Sequence, residues 1–441
     1  MNSMRGLAAA GLAAIVLSTA ACGGTGASIA SAPGDAAAHL VPPDALAFVS
    51  ADARLDSKQW RSVRDLVGPL RLPAGLDYDG DVKPAVGDEL NLAVLGIDQG
   101  KPEAVAIVKP KDEAKLRALA AKFDQGDEHY TVRHIGDWAV VADSAEAFDA
   151  VSRAEAGRSL ADVPKFRTAM DQLGGDSLAV AYADGTALQK LSGKLSGLAS
   201  AAGDPQTLAA LVAGEDGAVR VQVRVEQKRP APAYRPRLLR DVPSGALLAL
   251  SFKNPQQLLE QLAVDPTLKQ AAAGLEQALG VSVGALAPVL KGEGVFYVAQ
   301  GLLLPTFVLE VESQKPDQAV AVLQRLAAKS KTLPLGVYKR GNRVFLSNGM
   351  ALQALAGPKL VDDTPFKDAL AAADTPDEVT WLAYADLHRL LPVLQALTQT
   401  LGKGSMPSSG DKTKLDRLGT LVAFGARSGS TTRVELRVTR H

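Results

Sequence analysis

Few side chains in this sequence stand at spacings that could do chemistry, and each such group demands a particular setting. Gly280-Val281-Ser282-Val283-Gly284 matches G-x-S-x-G, the turn that lifts a nucleophilic serine off a strand end in front of a helix. The preceding stretch, Leu262–Leu279, has helical periodicity and offers no strand, so a helix-ending loop is expected. A base for Ser282 would have to be His388, inside a leucine stripe, or His441. Asp77, Asp79 and Asp81 around Gly80 carry the hard oxygen donors of a calcium loop. The third acidic position and the terminal glutamate of an EF-hand fall out of register, which leaves an acidic loop capping the next element. His129 and His134, near Asp127 and Glu128, lack a third ligand for a metal. Gly402-Lys403-Gly404-Ser405 lacks the spacing of a phosphate loop. With five histidines in the chain, acid–base equipment is sparse. The expectation is a binding protein rather than an enzyme, with no catalytic, cofactor or metal residues.

The sole cysteine has a clearer role. Leu7 to Ala21 is an unbroken run of small and apolar residues behind Arg5, long enough for a signal peptide and too short to span a bilayer. Small residues lead into Cys22, and Gly23-Gly24-Thr25-Gly26 follow. This arrangement resembles the lipobox of bacterial lipoproteins, although Thr19 stands where lipoboxes usually carry leucine. The resemblance implies cleavage before Cys22, a diacylglyceryl thioether on its sulfur and acylation of its new amino group. Two or more acyl chains give stable attachment where one does not. Residues 1–21 are therefore expected as a signal peptide and 22–40 as the lipidated cysteine with a flexible stalk.

The elements behind these residues come in two sets. Val41-Pro42-Pro43-Asp44-Ala45-Leu46 returns as Val242-Pro243-Ser244-Gly245-Ala246-Leu247. Gly87-Asp88-Glu89-Leu90 answers to Gly292-Glu293-Gly294-Val295, Leu116–Lys122 to Leu323–Lys329, and His134-Ile135-Gly136-Asp137 to Lys339-Arg340-Gly341-Asn342. Phe166 answers to Phe366, and Leu178–Asp184 to Thr380–Asp386. Landmarks kept in one order predict a tandem duplication, 41–226 and 242–441. The seam, 227–241, is rich in proline and arginine. It reads as a stiff solvated linker whose charges could also meet anionic lipid.

Val219, Val221, Val223 and Val225 alternate with Arg220, Gln222, Arg224 and Glu226, and Val434, Leu436 and Val438 alternate with Arg433, Glu435 and Arg437. Period two with charges outside predicts antiparallel strands with one wet face. Leu116, Leu119, Ala120 and Phe123 mark an amphipathic helix, as do Leu387, Leu390, Leu391, Leu394 and Leu397. Strand-to-helix junctions fall at Asp52, Asp184, Asn254 and Asp386. The fold class expected is α+β: two tandem duplicated domains, each a mostly antiparallel sheet with helices on one face.

The 441 residues carry 48 basic and 48 acidic side chains, a balance that lacks the basic footprint of a nucleic-acid binder. An apolar content of 47% and one cysteine exclude a charged disordered chain and an internal disulfide framework. The lipobox, small-residue stalk, opening V-P-x-x-A-L and doubled strand–helix units together resemble the actinobacterial envelope family called domain of unknown function 3352. That resemblance implies a fold and an extracytoplasmic, lipid-anchored location, with no functional residue to carry over. Expected partners are the membrane, through Cys22, and envelope proteins or a lipid ligand. A lipid carrier would need a dry cavity beside the alanines of Leu178–Ala183 and Val379–Ala385, where close helix–sheet packing is the competing reading.

Overall fold

The computed structural model describes residues 34–68, 76–98, 101–124, 129–185, 205–254, 291–301, 305–329, 334–349, 357–400 and 417–441. The chain is α+β, with antiparallel sheet and several helices. It divides into two compact units: one up to residue 185 with Gln206–Glu226, the other Gln227–His441.

The first unit contains β1 (Ala47–Asp52), β2 (Glu89–Asp98), β3 (Lys101–Val108), β4 (Thr131–Ile135), β5 (Trp138–Ala142), β6 (Ala179–Asp184), β7 (Pro205–Glu215) and β8 (Ala218–Gln227). Their spatial order is β8-β7-β6-β1-β2-β3-β5-β4. The second contains β9 (Leu248–Lys253), β10 (Glu293–Ala299), β11 (Thr306–Glu312), β12 (Gly336–Arg340), β13 (Arg343–Ser347), β14 (Trp381–Asp386), β15 (Leu418–Ser428) and β16 (Thr431–Arg440). These run β16-β15-β14-β9-β10-β11-β13-β12, the same order eight strands further on. Ladder partners correspond too: Ser50 faces Asn91, which faces Ile107, as Ser251 faces Val295, which faces Glu310. On the second strand the ladder sets Glu89 level with Glu293, one residue away from the sequence landmark that paired Glu89 with Gly294.

Within each unit, helices cover both faces of the strands, not one. In the first unit α1 (Ala145–Ala156) and α2 (Pro164–Asp171) lay Phe148, Val151, Phe166 and Met170 on Val105, Ile107 and Val140. On the opposite face α3 (Glu113–Ala121) packs Leu116, Leu119 and Ala120 on Ala106, Val108 and Val141. In the second unit α4 (Pro316–Lys329) packs Leu323 and Leu326 on Val311 and Val344, while α5 (Thr364–Ala372) places Phe366 over Val295 and Phe345. The cause is visible in Ala104-Val105-Ala106-Ile107-Val108, buried throughout: an unbroken apolar strand has no wet side. The wet face expected on β8 and β16 is buried in part: Arg220, Gln222 and Glu435 are buried, whereas Glu226 is exposed. Arg220 sits 2.8 Å from Glu215, so its charge is matched.

One expected spacer, and the described end of another, are folded. Residues 35–38, assigned to the flexible stalk, form a helical turn, and Ala37, Ala38 and Leu40 are buried in the first core. Their small apolar side chains gain more from that core than a free tether would from water. Residues 227–241, expected as a solvated linker, belong to the second unit, where Tyr234, Leu238 and Leu239 are core residues.

Candidate functional site

Cys22, Ser282, Gly402–Ser405 and the acidic pair Asp127 and Glu128 lie outside the described residues, as do the helices expected after Asp184 and Asn254. His388 and His441, the candidate bases, stack on each other with ring centroids 3.7 Å apart. The Asp77–Asp81 carboxylates point to separate duties. Asp77 accepts from the Gly80 amide at 2.6 Å, Asp81 accepts from the Asp77 amide and from Lys122 at 2.7 Å, and Asp79 is 4.0 Å from Lys83. Hydrogen bonds from Lys122 and the Asp77 amide hold the Asp81 carboxyl below its usual range. His129 lies 3.4 Å from Asp124 and His134 3.1 Å from Glu113, so the two histidines take different partners. Among the described residues no three His, Cys, Asp or Glu side chains converge on a metal position. Asp386 caps the following helix through the Arg389 amide, whereas Asp52 turns the chain through the Arg54 amide and leaves the cap to Ser57.

One dense polar arrangement is not apparent from the sequence. It occupies a single face of the second unit's strands, under the 227–241 segment. Alternation puts Glu293 and Tyr297 of β10, Glu310 and Glu312 of β11, Arg343 of β13 and Ser251 of β9 on that face. The segment crosses above them. Tyr234 exchanges backbone hydrogen bonds with Val379 at 2.8 and 2.9 Å, and its hydroxyl meets the Ser251 hydroxyl at 2.8 Å. The Leu238 amide donates to Glu293 at 2.7 Å; Arg237 donates to Glu293 at 3.3 Å and to Glu312 at 2.9 Å. Asp241 pairs with Arg343, which also donates to Glu310 at 3.2 Å.

Glu310 is the extreme member. It is fully buried, and its second oxygen finds no partner among the described residues; the same holds for the hydroxyl of Tyr297. Burial, with the Asp241 charge beside it and Arg343 opposing, pushes the Glu310 carboxyl up to about 7. Burial also raises Tyr297, with Glu310 adding to the effect. A carboxyl poised near neutrality in this setting can hold or release a proton.

The signal that could have found this cluster is faint. Thr306-Phe307-Val308-Leu309-Glu310-Val311-Glu312 alternates, and alternation normally puts glutamates in water. Only the Leu238-Leu239 pair inside the arginine-rich seam hints that something apolar lies over them.

No family model matches the chain, and no curated protein matches it. Among solved structures, one described as "Structure of crystal form I of TP0453" is similar over 44% of this chain and 80% of that one, at 6% identity and a TM-score of 0.25. A likeness so slight carries no argument. The resemblance to domain of unknown function 3352 therefore rests on the motifs alone.

Proposed function

We propose that this protein is a lipid-anchored envelope protein on the extracytoplasmic face of a bacterial membrane, built from two copies of one α+β unit and acting as a non-catalytic binding or interaction module. The observation that carries the doubled scaffold is the common strand order of the two units, with the Val-Pro landmarks at matching places. Val41 accepts from Leu160 at 2.7 Å just as Val242 accepts from Leu360 at 2.9 Å. The anchor is supported by the apolar run that ends at Cys22, the chain's one cysteine. A binding role is supported by those candidate polar residues that are engaged in caps, turns and ion pairs: Asp77, Asp81, His129 and His134.

The test is direct. Wild-type protein is expected to incorporate labelled palmitate and partition into detergent, whereas Cys22→Ser does neither and is released from membranes. Equal behaviour of the two would remove the anchor. Crosslinking in intact cells is expected to join the folded units to other envelope proteins, and a serine-reactive phosphonate is expected to leave the chain unlabelled.

A further inference from the structure

The segment Gln227–Asp241 is held on the second unit by two kinds of contact. One is apolar and insensitive to pH: Leu238 and Leu239 in the core and the Tyr234 bridge to Val379. The other is ionic and unbalanced. Glu310, Asp241, Glu293 and Glu312 face two guanidinium groups, those of Arg343 and Arg237. Lys253 stands opposite Glu293 on the ladder and lies over the Tyr234 ring; Tyr297 and Ser251 complete the face. The charges that act on Glu310 come from Asp241, Arg343 and Glu293. Arg343 is shared between Asp241 on the segment and Glu310 beneath it, so ionised Glu310 competes with the segment for one cation. Protonation removes that competition and turns an orphaned acceptor into a donor.

We propose that Gln227–Asp241 is a proton-gated strap, closed on the second unit while Glu310 is protonated and loosened as Glu310 ionises. This inference concerns the second unit alone and stands whether or not Cys22 is lipidated. The sign follows from linkage. Glu310 has a raised value of about 7 in the closed state and the ordinary 4.5 once exposed. Closed strap therefore binds the extra proton between those limits, and closure weakens as pH rises through that window. Between about pH 6 and about pH 8 the opening equilibrium should rise about tenfold.

Hydrogen exchange on the intact chain reads this, with rates corrected for the intrinsic pH dependence of exchange. Amides of Tyr234, Leu238 and Val242 are expected to lose about tenfold in protection across that range, while Ala37–Val41, which matches Leu238–Val242 in the first unit, stays level. Glu310→Gln should hold the strap equally protected at both ends. Asp241→Asn keeps the test open should that variant misfold: removing the neighbouring charge should move the loss of protection to lower pH. A flat wild-type response, an equal response in Ala37–Val41, or an unchanged response in Glu310→Gln would each overturn the strap. So would an Asp241→Asn midpoint that does not move.

Discussion

The two units solve one packing problem with opposite chemistry. Where the first places Leu40, Ile107 and Trp138, the matching positions of the second hold Asp241, Glu310 and Arg343, as the ladders Ile107–Val140 and Glu310–Phe345 and the residues ahead of Val41 and Val242 fix. Leu40 and Ile107 are buried in an apolar core; Asp241 and Glu310 meet through Arg343. Around this difference the architecture hardly changes. Phe166 meets Tyr182 edge-on with centroids 5.1 Å apart, and Phe366 meets Tyr384 at 5.0 Å. The scaffold therefore does not require the charges. Replacing a buried ionic set by apolar residues of similar volume is often neutral or stabilising, so the acids of the second unit are explained better by a task than by stability.

The comparison can be broken first where the units agree. Phe166→Ala and Phe366→Ala each empty a nearly closed aromatic site and should each cost about 3–5 kcal/mol. Hydrogen exchange in urea, read unit by unit, would show it. A large loss in one unit beside a negligible loss in the other would mean that the shared strand order hides different cores.

Arg343→Met tests the point of disagreement. It strands Asp241 and Glu310 without their common cation and should cost the second unit about 3 kcal/mol, the low end for a broken buried pair because Arg343 is 36% exposed. Trp138→Met, at the matching place, leaves no buried charge and should cost less in the same assay.

The smallest effect sharpens the comparison most. Installing the first unit's set, Asp241→Leu with Glu310→Ile and Arg343→Trp, should leave the second unit unchanged or stabilise it by about 1–2 kcal/mol. It should also remove the pH response of the strap. A strongly destabilised triple variant would show that the acids are structural after all.

Much of this architecture was legible in local pattern. The matching short apolar runs Leu178–Asp184 and Thr380–Asp386 mark β6 and β14, and the turns at Gly136 and Gly341 recur because each has a positive φ, 56° and 62°, that glycine adopts without strain. What was not legible depends on residues distant in sequence. Glu310, Arg220 and Glu435 each sit in alternating runs that read as half-wet strands, and only the tertiary cover decides that they are buried. The 227–241 segment failed for a related reason: averaged composition says linker, while two leucines and Tyr234 decide where it lies. Asp241, which joins the cluster, lies beside the Val-Pro landmark and was hidden by it.

The helical turn at 35–38 sets a limit on distance. With Cys22 as the proposed anchor, only residues 23–33 remain between lipid and folded body. A chain of that length extends to roughly 40 Å at most, at 3.3–3.6 Å per residue. Under that anchor the N-terminal edge of the first unit would stay leashed within about 40 Å of the headgroups.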